Sequence, residues 1–136
     1  MARPRGELTR CGGRWTEARF RAFIENLLRS GTRKWGPVGD CEKAARTKRG
    51  YYRCAECKKE IPATKLTKSD GKRKRTNNKF VDHIEPAVPV TGWTDWNTYI
   101  ERLFCEIDNL QLLCKSCHDS KSAEEREERK LHRKKK

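Results

Sequence analysis

The amino-acid sequence predicts an α+β fold with a small core, and three observations support this class. Apolar side chains recur at helical spacing in two separate stretches, residues 16–31 and 94–104. Short strand-like runs precede Cys54 and Cys114 and occupy residues 79–86. Hydrophobic residues make up only 34% of the chain and charged residues 38%, so we expect one modest domain with extensions. A core this small needs an additional cross-link, or staple, such as a metal site.

The N-terminal part is predicted to contain a flexible arm and two helices. Residues 1–14 are rich in Gly and Arg and form the arm. Thr16 is predicted to cap the first helix, which ends at Gly31, and a second helix over residues 40–48 completes a helical extension over residues 15–50. The apolar stripe of the first helix is interpreted as a packing surface and consists of Phe20, Phe23, Ile24, Leu27 and Leu28.

The second half of the chain alternates strands, helices and charged segments. Between residues 58 and 79, nine basic residues stand against two acidic ones, and Asp70-Gly71 marks a turn in what is predicted to be a solvated loop. A later insert carries an amphipathic helix that we expect Thr94 to cap. Residues 124–136 are predicted to form a charged helix that frays into a basic tail.

Charge and cysteine usage narrow the class of protein. The formal net charge of +14 exceeds what solubility requires, so we expect a polyanionic partner, with nucleic acid favoured over a merely basic structural protein. No stretch is long and apolar enough to span a membrane, and the N-terminus lacks the apolar core of a signal peptide. The predicted location is therefore the cytoplasm, where cysteines are more often metal ligands than disulfides.

Two Cys-x-x-Cys pairs, Cys54/Cys57 and Cys114/Cys117, form the clearest motif. Each spacing lets both sulfurs of a pair reach one tetrahedral Zn²⁺. The long interval between the pairs fits a simple zinc ribbon poorly, so a shared zinc would staple whatever lies between them. Free thiols and a metal–sulfur cluster are the alternatives. The three remaining cysteines are expected to be plain core or surface residues: Cys11, Cys41 and Cys105.

A second group of residues has no use in a site already closed by four thiolates. It consists of Asp82-His83, Asn109 and His118. A carboxylate and an imidazole can form an open divalent-metal site, a further neutral histidine can act as general base, and an asparagine can orient that base without adding charge. Considered alone, His118 would instead be interpreted as a solvent-exposed residue at a helix start.

The segments "VDHIEP", "DNLQLLC" and "KSCHDSK" resemble the HNH endonucleases of the ββα-metal class, especially the small zinc-stapled ones of bacteriophages. The resemblance covers about residues 50–123, and residues 51–123 would form the nuclease core with its zinc site. It implies a two-stranded hairpin and one helix around a catalytic metal, pinned by a four-cysteine zinc site. Helices from the N-terminal extension and from the insert would cover this core.

The resemblance also implies a role for each matching residue. His83 would be the general base, and Asn109 would hold the base-bearing loop. Asp82 and His118 would bind a catalytic divalent ion, which could be Mg²⁺, Mn²⁺, Ni²⁺ or Zn²⁺. Structural zinc would be bound by Cys54, Cys57, Cys114 and Cys117.

The implied function is metal-dependent hydrolysis of DNA, by nicking or by double-strand cleavage. The protein would be a monomer in the host cytoplasm, with phage terminase subunits as additional partners. Four basic residues are predicted to contact the DNA backbone: Lys72, Arg73, Lys74 and Arg75. Three alternatives stay open, namely a non-catalytic zinc-stabilised nucleic-acid-binding module, a recruitment factor that binds protein through its N-terminal helix, and a redox protein.

Overall fold

The structure is a computed structural model that describes residues 6–134. Residues 1–5 of the predicted arm and residues 135–136 of the predicted tail lie outside the described residues. The chain divides into two compact units, the first ending at Lys34 and the second beginning at Trp35. Helices and short antiparallel strands are mixed along the chain, which confirms the predicted α+β class.

The first unit is a short strand pair followed by one helix. Strand β1 (Leu8–Arg10) pairs antiparallel with β2 (Trp15–Thr16), so part of the predicted flexible arm is a strand. Helix α1 (Glu17–Gly31) follows directly. The Thr16 hydroxyl accepts a hydrogen bond from the backbone N–H of Arg19 at 3.2 Å, so the predicted N-cap is confirmed.

The apolar stripe of α1 is only partly covered within the first unit. The ring of Trp15 lies 5.1 Å from that of Phe23, and the guanidinium of Arg10 lies over Phe20. No residue of α1 is buried, and the exposed fractions of Phe23 and Leu27 are 44% and 54%.

The second unit begins with a helix and a three-stranded antiparallel sheet. Helix α2 (Gly36–Ala45) is followed by β3 (Arg46–Lys48), β4 (Tyr51–Arg53) and β5 (Glu60–Pro62), which pair in the order β3-β4-β5. The predicted helix over residues 40–48 is therefore displaced toward the N-terminus. Its start is favoured by a proline in the first turn, and its predicted last residues belong to β3 instead.

A ribbon of two strands occupies the segment that was predicted to be a solvated loop. Strands β6 (Thr64–Ser69) and β7 (Lys72–Asn77) pair over six positions. Asp70 and Gly71 form the connecting turn with φ values of 52° and 75°, which suits a two-residue hairpin loop. The turn was predicted correctly. The strands on either side of it were not predicted, because the run of basic residues is typical of a loop.

The predicted hairpin-plus-helix core is present. Strand β8 (Lys79–His83) pairs antiparallel with β9 (Leu110–Cys114), and helix α4 (Lys115–Lys134) follows β9 directly and packs on both strands. The β8 residues Phe80 and Asp82 share the face that contacts α4, because alternate side chains of a strand lie on one side.

The insert between β8 and β9 contains helix α3 (Trp96–Leu103). Its N-cap is Asp95 and not Thr94. The Asp95 carboxylate accepts hydrogen bonds from the backbone N–H and the hydroxyl of Thr98, at 2.8 and 3.0 Å, and these bonds lower the pKa of Asp95 below its usual value. A carboxylate at this position also interacts favourably with the helix dipole, which a threonine hydroxyl cannot match.

The core of the second unit is small, as the composition predicts. A cluster of buried residues forms this core and consists of Cys41, Cys54, Ile61, Leu110, Leu112, Leu113 and Cys114. Cys41 is thus a core residue, as expected, and burial raises the pKa of its thiol. Among residues 6–134, no helix has the combination of length and apolar character that crossing a membrane requires.

Candidate active site and cysteine cluster

The four cysteines of the two Cys-x-x-Cys pairs lie together although they are far apart in sequence. Their sulfur atoms are all within 4.8 Å of one another, and Cys57 Sγ lies 3.9 Å from Cys114 Sγ. Sulfurs bound at ~2.3 Å to one tetrahedral zinc are separated by about 3.8 Å. The cluster is therefore compatible with a structural zinc site, as the spacing predicted.

The local backbone structure places the side chains of both cysteine pairs in one cluster. The first pair is on a turn after β4, where Lys58 N–H donates to the Cys54 carbonyl at 3.0 Å and Lys58 adopts a φ of 63°. The second pair joins the end of β9 to the first turn of α4. The N–H of Cys114 donates to Cys54 Sγ at 3.4 Å and so connects the two turns.

The chemistry of the cluster also suits a bound cation. Burial disfavours ionisation of Cys54, but backbone N–H groups outweigh burial and lower its pKa to about 6. Hydrogen bonding with the Cys114 thiol, together with burial, raises the pKa of Cys117 to about 12. Four adjacent thiols cannot all ionise against one another, whereas a divalent cation would stabilise all four thiolates.

His83 lies at the end of β8 and is oriented by the insert. Its Nε2 atom is 2.8 Å from the backbone carbonyl oxygen of Leu103, the last residue of α3. A carbonyl can only accept a hydrogen bond, so Nε2 carries the proton in this contact. In the neutral ring the lone pair then resides on Nδ1, which is the arrangement a general base needs.

The end of α3 is itself fixed to the segment that follows His83. The guanidinium of Arg102 donates two hydrogen bonds to the Pro86 carbonyl, from Nε at 3.0 Å and from Nη2 at 2.7 Å. On the other side, Trp35 Nε1 donates to the Cys105 carbonyl at 2.6 Å. The carbonyl that orients the His83 ring therefore belongs to a backbone segment held from two directions.

Asn109 makes the contact expected of a residue that holds the loop after His83. Its Oδ1 accepts from the backbone N–H of Glu85 at 2.9 Å, and its Nδ2 donates to the Glu85 carbonyl at 3.2 Å. The Asn109 carbonyl also accepts from the N–H of Ile84, at 2.9 Å. Glu85 takes part through its backbone. The catalytic role of Asn109 stays a prediction.

The carboxylate of Asp82 is partly buried and bonded to two side chains. Gln111, its cross-strand partner on β9, donates from Nε2 at 3.2 Å, and Lys121 Nζ of α4 lies 2.6 Å from Oδ2. The same ammonium lies 2.6 Å from the His83 carbonyl and 2.8 Å from Glu125 Oε1. Burial works to lower the pKa of Lys121, but its bonds to the two carboxylates raise it.

His118 lies in the first turns of α4 with its ring stacked on Phe80. The two ring centroids are 4.5 Å apart and the planes differ by 11°. Among the described residues, His118 Nδ1 is buried without a hydrogen-bond partner, and Asp119 Oδ1 is 3.8 Å away, too far for a hydrogen bond. Its neighbour Cys117 belongs to the cysteine cluster, so the two adjacent side chains have different surroundings, and the role of His118 as a metal ligand stays a prediction.

The donor set fits a divalent ion in part. The Asp82 carboxylate and the unpaired nitrogen of His118 are suitable ligands for a transition-series ion. Both side chains lie between β8 and α4. An ion bound to Asp82 would share that carboxylate with the Lys121 ammonium and with Gln111, both of which contact Oδ2.

Three contacts of the site were missed by sequence reasoning. Lys121 follows His118 by three residues and therefore lies on the same helical face, which is a signal that the sequence contained. Gln111 could be found only once the register of β8 and β9 was known. The Leu103 carbonyl had no signal, because every residue has such a group.

A comparison with models of protein families found a match in the segment that carries Asn109 and His118. The family model of the HNH endonuclease matches residues 105–124, a segment that includes Asn109, Cys114, Cys117 and His118. This match confirms the family resemblance seen in the sequence and indicates a nuclease-type enzyme with nucleic acid as substrate. The bacteriophage type stays a prediction. Searches of curated proteins and of solved structures found no match.

Proposed function

We propose that this protein is a metal-dependent DNA endonuclease of the HNH type that hydrolyses phosphodiester bonds. The observation that carries the proposal is the pair of contacts that fix His83 and the loop behind it. One is the hydrogen bond from His83 Nε2 to the Leu103 carbonyl. The other is the pair of hydrogen bonds between the Asn109 side chain and the Glu85 backbone.

His83 acts as general base in this proposal. With Nε2 donating to the Leu103 carbonyl, Nδ1 is free to take a proton from a water molecule beside the scissile phosphate. Asn109 keeps the backbone after His83 in one conformation, so the imidazole does not have to be ordered when substrate arrives. A positioned general base of this kind is worth about 10²–10⁴-fold in rate.

Asp82 and His118 are the proposed ligands of the catalytic ion. When bound, Mg²⁺, Mn²⁺, Ni²⁺ or Zn²⁺ would stabilise the charge that develops on the phosphate and on the leaving oxygen. Asp82 offers a partly buried carboxylate, and the stacking on Phe80 fixes the His118 ring so that it loses little freedom on binding. The cysteine cluster has a separate, structural role.

DNA is the proposed substrate because of charge. The chain carries 33 basic and 19 acidic residues, and six of the basic residues are on the ribbon of β6 and β7. Lys72, Arg73, Lys74 and Arg75, all exposed, belong to this ribbon. Such residues attract a polyanion and contribute a salt-dependent part of its affinity.

A non-catalytic, zinc-stabilised nucleic-acid-binding module is the second candidate. The ion pair between Asp82 and Lys121 favours it, because a carboxylate satisfied by an ammonium and by Gln111 needs no metal. This candidate requires that the ion pair persists in the presence of divalent ions and that nothing is cleaved.

A cleavage assay on supercoiled plasmid separates the two candidates. The wild-type protein is titrated with each of the four divalent ions and with a chelator, and His83→Ala is compared with the matched variant His132→Ala in the charged C-terminal helix. We expect metal-dependent cleavage that falls at least ~10²-fold in His83→Ala and is unchanged in His132→Ala, with DNA affinity retained in both. Absence of cleavage by the wild type with all four ions would favour the non-catalytic module.

The biological setting is proposed from the resemblance alone. It would be the cytoplasm of a host cell, where a monomeric enzyme acts beside the phage terminase during genome packaging. Co-purification with purified terminase subunits tests this setting, and sedimentation tests the monomer. Neither result bears on the chemistry proposed for His83.

A further inference from the structure

The ribbon formed by β6 and β7 has a fixed register and a defined twist. The two strands pair at every position from Thr64 opposite Asn77 to Ser69 opposite Lys72. Both turn residues, Asp70 and Gly71, have positive φ, the conformation that matches the right-handed twist of the strands on either side. Each described side chain of the ribbon therefore has a known face.

The two faces of this ribbon differ in chemistry. Cross-strand partners share a face, so Thr64 lies beside Asn77, Leu66 beside Arg75 and Lys68 beside Arg73, which we call the arginine face. On this face Arg75 Nη1 donates one hydrogen bond, to Thr64 Oγ1 at 3.1 Å. The other side, which we call the lysine face, carries Lys65, Thr67, Lys72, Lys74 and Thr76. The four basic residues predicted to contact DNA are thus divided equally between the two faces.

On the lysine face no two basic residues are directly opposite each other. Lys65 is opposite Thr76, and Lys74 is opposite Thr67. The threonine hydroxyls are already used within the ribbon, because Thr67 donates to the Lys74 carbonyl and Thr76 to the Lys65 carbonyl, both at 3.2 Å. The hydroxyls of these two threonines therefore need no external partner.

The arginine face has unfavourable features that a polyanion would relieve. Lys68 and Arg73 are directly opposite each other, and like charges in that arrangement destabilise a strand pair. Leu66 lies beside Arg75 with 60% of its surface exposed. No ribbon residue with a described side chain is buried, and a two-stranded ribbon without a buried face is only marginally stable in water.

We propose that the ribbon enters the major groove of double-stranded DNA with its arginine face toward the base edges. The groove is wide enough for a two-stranded ribbon, and guanidinium groups can bond two acceptors of guanine at once. Leu66 would contact thymine methyl groups, and the lysine face would direct its long side chains to the flanking phosphates. The inference rests on the proposed function only in taking DNA as the substrate.

Two double variants with the same loss of charge test this orientation. Arg73→Gln/Arg75→Gln changes the arginine face, and Lys72→Gln/Lys74→Gln changes the lysine face of the same strand. Both are made in a His83→Ala background and assayed with chelator present, so that binding is measured without cleavage. Affinity is determined for a random-sequence duplex library at several salt concentrations, and circular dichroism checks that each variant is folded.

The two variants are expected to differ in kind. The arginine variant should lose about 10²-fold in affinity for the best-bound sequences and should lose its preference among sequences. The lysine variant should weaken binding to all sequences alike and reduce the slope of log affinity against log salt by about 2. Leu66→Ser, which removes the apolar contact, should weaken binding to thymine-containing sites only.

Three outcomes would overturn the inference. Equal effects of the two double variants would show that charge alone matters, and unchanged binding in both would show that the ribbon is away from the DNA. Equal affinity for duplex RNA would also exclude groove entry, because the major groove of an RNA helix is too narrow for a ribbon. Plasmid cleavage by the wild type is measured separately, so failure of this inference and failure of the nuclease proposal are distinguishable.

Discussion

Replacement of Asn109 by alanine tests whether the loop behind His83 has to be held in place. The substitution removes two hydrogen bonds to the Glu85 backbone, of 2.9 and 3.2 Å. Each such bond has a net worth of about 0.5–1.5 kcal/mol, and water can replace part of it because Glu85 is exposed. A total of about 1–2 kcal/mol corresponds to a fall in cleavage rate of about 5- to 30-fold.

The assay is single-turnover plasmid cleavage at saturating metal, together with DNA affinity and the free energy of unfolding. Asn97→Ala is the matched control, because Asn97 is exposed on α3. Asn109→Asp supplies a sharper test, since its carboxylate can still accept from the Glu85 N–H but faces the Glu85 carbonyl with a second acceptor. We expect its cleavage to be slower than that of Asn109→Ala. Wild-type cleavage in both Asn109 variants would refute the positioning role.

Two further predictions concern the cysteine cluster and Lys121. One equivalent of zinc should be measured per chain. Chelation or Cys114→Ser should abolish cooperative unfolding, because binding of structural zinc contributes directly to folding. A zinc-free chain that unfolds cooperatively would contradict this prediction. Lys121→Met should lower the free energy of unfolding by about 1–3 kcal/mol in denaturant titrations, since it leaves the partly buried Asp82 carboxylate without its cation. The control Lys130→Met, whose partner Glu127 is exposed, should change it by less than about 0.5 kcal/mol.

Local signals in the sequence were read correctly where one residue type decides the local structure. Thr16 capped its helix, Asp70-Gly71 made its turn, and the sulfurs of the two Cys-x-x-Cys pairs lie together. Errors arose where two neighbouring residues competed for one position. Asp95 replaced Thr94 as the cap because its carboxylate makes two hydrogen bonds with Thr98.

Long-range contacts of the site could be predicted only in outline. The segments that carry His83 and Asn109 were expected to meet, because the strands around them pair. The partner of His83 Nε2 could not be predicted, because it is a main-chain carbonyl on a helix twenty residues away. The β6–β7 ribbon was missed for a different reason. A strand pair with charged side chains on both faces lacks the alternation of apolar and polar residues that identifies strands in a sequence.

The different surroundings of the neighbours Asp82 and His83 depend on the register of β8 on β9. Asp82 is opposite Gln111 and faces α4, where Lys121 contacts it, whereas His83 is opposite Leu110 and bonds to the end of α3. Two neighbouring residues on one strand thus reach two different helices. A slip of one residue in this register would exchange their faces, so that the imidazole would face α4 and the carboxylate would face the Leu103 carbonyl, an acceptor it cannot bond. The roles proposed for the two side chains, His83 as base and Asp82 as metal ligand, therefore depend on this register.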